Sequence, residues 1–234
     1  MKQKQILQMA ILVVFLLALL LAGWFFFSTQ KQAANTVVKQ GYDYVMKSDP
    51  LKPNKRAPTD YYMLALSWSP AFCESQYRRY GKNLPANTQY QCGSTQKFGW
   101  VVHGLWPQNA NARSITEHPR YCQGDLPEVP RDVIEKYLPD SPSPYLLQGE
   151  WEKHGACVFK TADEYFAKIH QLFSEVKMPT YELESRKELF SWVRKNNPQL
   201  DGLYLGANGN ELYICYDLNW HAMDCPRAVN YQTH

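Results

Sequence analysis

Two things are missing from this 234-residue sequence: closely spaced cysteine pairs, and any surplus of charge once the first 34 residues are set aside. The six cysteines (Cys73, Cys92, Cys122, Cys157, Cys215 and Cys225) form no C-x-x-C or tight His/Cys pair. Structural zinc sites are built from such pairs, so zinc is the weaker reading of these residues. The formal net charge is +3, but Lys2, Lys4 and Lys31 supply it, and the remaining 22 basic residues balance the 22 acidic ones. A polyanionic partner must therefore be met by a local cluster and not by a broad basic surface. No internal repeat is present, which removes the solenoid architectures.

What is present describes an ordinary folded chain. Hydrophobic residues at 45% and charged residues at 20% suit a domain with one sizeable core. Seven tryptophans, 16 tyrosines and 10 phenylalanines serve a core and are also compatible with base stacking.

Lys2 and Lys4 precede an unbroken apolar run over residues 9–27, which just suffices to cross a bilayer. No good small-x-small cleavage site follows it; Gln32-Ala33-Ala34 is the nearest, behind Lys31. Residues 1–30 read as a signal peptide or a membrane anchor, with residues 6–27 able to meet the membrane and the remainder exported to the periplasm or the outside. An even number of cysteines in an exported chain reads as three disulfides. Residues 31–59 are polar, carry Pro50, Pro53 and Pro58, and read as a linker or stalk with a short ordered piece at residues 42–46.

The folded domain is expected over residues 60–234. Residues 61–69 look like a buried strand, and residues 98–103 (FGWVVH) like a second, halted at Gly104 and Pro107. Residues 108–130 read as a long functional loop. A short helix is expected over residues 131–138, stopped by Pro139. Thr161 with Glu164 and Ser185 with Glu188 form capping boxes before two amphipathic helices. Residues 203–205 and 211–217 flank Asn208-Gly209, a hairpin signal. Strands and helices do not alternate regularly, which points to an α+β fold with a mainly antiparallel sheet.

Two segments carry chemistry-bearing residues at unusual density: HGLWP at residues 103–107 and EWEKHGAC at residues 150–157. If the second is helical, Glu150, Lys153, His154 and Cys157 share one face, bringing an acid, a cation and an imidazole together. If it is extended, Glu150, Glu152 and His154 share a face instead and Lys153 points away. A Cys157 thiolate activated by His154 would make the chain a thiol hydrolase, a rival reading. His118, His170, His221 and His234 read as incidental.

Taken together the two segments resemble the paired active-site motifs of the ribonuclease T2 family. The likeness runs from Tyr61 to the C-terminus and includes W-x-P-x-x-C at Trp68, Pro70 and Cys73. It implies a metal-independent, cofactor-free endoribonuclease that cleaves single-stranded RNA through a 2′,3′-cyclic phosphate with low base specificity. The sequence does not specify an oligomeric state, and a monomer is the expectation. His154 would be the base, His103 the acid, and Glu150 with Lys153 would hydrogen-bond the phosphate. Trp106 and Gln108 would help form a base site, although Trp106 reads equally as core. The implied disulfides are Cys73–Cys92, Cys122–Cys157 and Cys215–Cys225. Gly149 departs from the family, many members of which carry a phosphate-binding histidine there. That departure implies weaker substrate holding, and it is the basis of the alternative, a catalytically weakened RNA-binding or signalling protein on the same fold.

Overall fold

The computed structural model describes residues 41–43, 46 and 49–226. The expected leader or anchor at residues 1–30 lies outside them. Strand β1 (Tyr61–Trp68) is buried along its whole length. That explains its near-continuous apolar sequence: a strand covered on both faces has no wet side to alternate with. It pairs antiparallel with β2 (Trp100–Gln108) on one side and with β4 (Glu211–Tyr216) on the other. The sheet order is β2-β1-β4-β3, with β3 (Gly206–Asn208) forming the Asn208-Gly209 hairpin and β5 (Ala222–Met223) pairing with β4. Tyr61, Met63, Ala65, Trp106, Tyr213 and Cys215 pack together as one face of its core.

Among the described residues the longer helices around the sheet are α1 (Ser69–Tyr80), α2 (Arg131–Tyr137), α3 (Pro144–Lys153), α4 (Ala162–Ser174) and α5 (Arg186–Asn196), with a single helical turn at Ala86–Thr88. The fold is α+β with an antiparallel sheet, and both capping residues work as expected. Thr161 accepts from the Glu164 amide and Ser185 from the Glu188 amide, which satisfies donors at the two helix starts.

Strand β2 does not stop at Gly104 or Pro107; it runs to Gln108. Its outer edge is satisfied by other elements, so the strand needs no further neighbour. The Val102 amide donates to the Asp140 carbonyl at 2.8 Å, and the Tyr165 hydroxyl both accepts from the Leu105 amide and donates to its carbonyl, each at 3.1 Å. Pro107, which has no N–H, is tolerated because β2 is an edge strand. The three disulfides pair as Cys73–Cys92, Cys122–Cys157 and Cys215–Cys225. With none of the six cysteines free, the thiol-hydrolase reading falls.

The described part of the expected linker is no stalk. Glu128 accepts from the amides of Gly41 and Tyr42, the Tyr42 hydroxyl donates to the Val129 carbonyl, and Asn54 pairs with Arg120 as an antiparallel bridge. Asp49 makes the charged contacts of this segment. Its Oδ2 accepts from Arg120 Nη2 (3.0 Å), Tyr121 hydroxyl (3.0 Å) and Lys153 Nζ (2.9 Å), with the side chain 5% exposed. Burial alone would raise the Asp49 pKa, but the Leu51 amide, Lys153 and Tyr121 outweigh it and hold the carboxyl at about 2. Asp49→Asn is therefore expected to destabilise the fold by about 3 kcal/mol at neutral pH, because two cations lose their buried counter-charge. A carboxyl with a depressed pKa contributes stability above its unfolded value and loses it as pH falls through the folded one. The difference between wild type and variant should then shrink as pH drops from about 4 toward 2. Urea unfolding across that range measures both effects.

Candidate active site

The register of β2 on β1 slips at one residue. Gly104 faces Ala65 and Val102 faces Leu66, so His103 has no partner and forms a bulge. Bulges re-aim side chains, and this one turns the imidazole toward neighbours on two other elements. Nδ1 lies 2.5 Å from Glu211 Oε1, at the start of β4. Nε2 lies 3.6 Å from Glu150 Oε1, on α3. The ring stands edge-on to Trp106 with centroids 5.2 Å apart.

Glu150 reaches this position because Gly104 leaves room. A Cβ on Gly104 would sit 1.9 Å from Glu150 Oε2 and 2.5 Å from Trp106 Nε1. That space is filled by the carboxylate, which accepts a 2.6 Å hydrogen bond from the Trp106 indole. Burial pushes the Glu150 carboxyl above the usual range, and the nearby His103 and Lys153 charges and the Trp106 bond only partly oppose it. For His103, burial disfavours the charged ring, but the bond to Glu211 and the charge of Glu150 prevail. Its pKa lies above the ordinary histidine value.

Helix α3 ends at Lys153, four residues short of Cys157, where the four-residue face would have to end. His154 is its C-cap, and Gly155–Cys157 form a separate tight turn. Gly155 is needed there, since a Cβ would lie 2.6 Å from the Tyr165 ring. The turn delivers Cys157 to Cys122 and leaves His154, 4% exposed, beside Trp106 with ring centroids 5.6 Å apart. The two imidazoles thus pack against one indole. Lys153 does not touch Glu150; it is paired with Asp49, although its charge is felt at both His103 and Glu150.

The expected base site is placed differently. Trp106 is 4% exposed and belongs to the core, where it holds Glu150 and touches both imidazoles. Gln108 is also buried, and its amide donates to the Pro107 carbonyl. β2 carries both into the packed side of the sheet, as buried as His154. Conversely, Glu211 and Asp49 escaped the sequence reading. A carboxylate opening the apolar run ELYICY is a local inconsistency that could have marked Glu211. Asp49 lies in a polar, proline-containing stretch that gives no such signal.

An antiparallel α+β fold packs two imidazoles against one indole, with one of them braced by carboxylates, and such groups can give and take protons near neutral pH. Residues 59–189 match the model of the ribonuclease T2 family, and the chain belongs to that family. A probable ribonuclease of Haemophilus influenzae is 56% identical over 191 residues, covering 82% of this chain and 70% of that protein. Ribonuclease I of Escherichia coli is 30% identical over 146 residues, covering 50% of this chain and 54% of its own length. Among solved structures, an RNase-related protein from Calystegia sepium superposes with a TM-score of 0.54 at 19% identity, covering 76% of this chain and 96% of that one.

Proposed function

We propose that the chain is an exported endoribonuclease that cleaves single-stranded RNA by transesterification. The 2′-oxygen attacks the adjacent phosphorus as the bond to the 5′-oxygen breaks, leaving a 2′,3′-cyclic phosphate and a 5′-hydroxyl. His154 takes the proton from the 2′-hydroxyl and His103 gives one to the departing 5′-oxygen. The observation that carries this reading is the packing of both motif imidazoles against the Trp106 indole, with His103 also held between two carboxylates. Those carboxylates favour the charged form of His103, the state an acid needs. His154 sits at a helix end one residue past Lys153.

Burial raises the Glu150 pKa, and in this scheme its carboxyl hydrogen-bonds a phosphate oxygen when it carries a proton. Lys153, fixed by Asp49, contributes positive potential where charge develops. Gly149 adds no side chain to phosphate binding, so substrate is held more loosely with the mechanism intact. The apolar run behind Lys2 and Lys4 and the three disulfides support export, either with cleavage or with anchoring through residues 6–27.

The test uses the full, oxidised chain with RNA in excess EDTA. The expected products carry 2′,3′-cyclic ends, and DNA of the same sequence is untouched because it lacks the attacking hydroxyl. Cleavage that stops in EDTA, or equal cleavage of DNA, would overturn the scheme.

A further inference from the structure

Glu211 lies outside both sequence motifs, yet it makes the closest contact to either imidazole. It opens β4 opposite Ser67 of β1, and its carboxylate reaches across that central strand to the bulged His103. Each of its oxygens has a separate partner: Oε1 meets His103 Nδ1, and Oε2 accepts from the Tyr213 hydroxyl at 2.7 Å. Tyr213 lies two residues along the same strand, so both side chains point to one face. The Glu211 side chain is 7% exposed, which leaves little water to loosen the arrangement.

An ionised carboxylate only accepts hydrogen bonds, so His103 Nδ1 must carry a hydrogen. The proton that comes and goes is then the one on Nε2, and Nε2 faces Glu150 on the reacting side. The other charged groups around His103 are Glu150 and Lys153 of α3, whose influences oppose each other. Asp140 shares a small cavity with His103, but its carboxylate is bound to His170 at 2.7 Å.

We propose that Glu211, steadied by Tyr213, is the positioning residue of the acid. It fixes the ring and tautomer of His103 so that Nε2–H is presented to the 5′-oxygen, and its charge keeps that nitrogen protonated until the proton is transferred. This rests on the assignment of His103 as acid, and it adds a role that neither motif contains.

Two measurements on the full chain test it. The first compares wild type, Glu211→Gln and Tyr213→Phe on a ribodinucleoside phosphate and on a ribonucleoside 3′-(4-nitrophenyl phosphate), whose leaving group departs without being protonated. Glu211→Gln should lower kcat on the dinucleotide by about 10²-fold with little change in KM, and lower it by less than about threefold on the nitrophenyl ester. The basic limb of its pH–rate profile should move down by about one unit. Equal losses on the two substrates would mark Glu211 as merely structural and overturn the proposal. Tyr213→Phe keeps the carboxylate and should show the same pattern more weakly, and it decides the matter if Glu211→Gln does not fold.

The second measurement follows the His103 ring nitrogens by NMR in ¹⁵N-histidine protein, which reads the contact whether or not the enzyme turns over. Wild type should keep Nδ1 protonated throughout while Nε2 titrates, and Glu211→Gln should titrate at lower pH. An unchanged titration would overturn the proposal. A wild type that shows this titration but leaves the dinucleotide uncut would instead overturn the assigned reaction.

Discussion

His154→Ala should lower kcat/KM for RNA by about 10³-fold or more, and His103→Ala should do nearly the same. The other two motif groups are already engaged, Glu150 by the Trp106 indole and Lys153 by Asp49. Because both proton transfers belong to one displacement, the double variant should lose little more than either single one. The two variants should part company on an activated leaving group, where the base is still required and the acid is not. There His154→Ala remains crippled and His103→Ala recovers most of its rate. Single-substrate kinetics on the two esters reads this directly, and equal behaviour of the two variants would contradict the division of roles.

Gly104→Ala is the second large effect, and its origin is steric. The added methyl would occupy space held by the Glu150 carboxylate, with Trp106 Nε1 close behind. Glu150 must leave, the indole loses its acceptor, and the imidazoles lose the wall they share. Overpacking of this kind costs about 1–3 kcal/mol, and a misplacement of roughly 1 Å at a reacting centre costs about 10²-fold in rate. Gly104→Ala should therefore lower kcat/KM by about 10²-fold while urea unfolding moves by about 2 kcal/mol. Gly155→Ala strikes the Tyr165 ring and the Trp151 side chain instead, and provides the comparison. It should also destabilise the fold, by displacing the turn that carries Cys157 to Cys122.

Local signals in the sequence were read well where local chemistry decides the outcome. Thr161 and Ser185 cap their helices through their own third-residue amides, and Asn208-Gly209 turns a hairpin, because each of these depends on neighbours within a few residues. The end of β2 was misplaced because Tyr165 and Asp140, both distant in sequence, satisfy its edge. The shared face of Glu150, Lys153, His154 and Cys157 was only partly right, since the helix ends at Lys153 and Asp49 captures the ammonium. Motif likeness named His103, Glu150, Lys153 and His154 and gave the disulfide pairing. It could not say that Trp106 would be buried against Glu150, or that Glu211 would reach His103 across a strand. Those facts belong to packing between elements 44 and 108 residues apart, and no local pattern encodes them.

The central claim is that the 2′-hydroxyl of the substrate itself is the nucleophile. A DNA oligonucleotide containing one ribonucleotide tests this most directly, incubated with the full chain in EDTA and resolved to single-nucleotide length. The account predicts a single cut, immediately 3′ of the ribose, leaving a 2′,3′-cyclic phosphate on one fragment and a 5′-hydroxyl on the other. Cuts at deoxyribose positions, or a 5′-phosphate at the cut, would mean that water or another nucleophile attacks, and would contradict it.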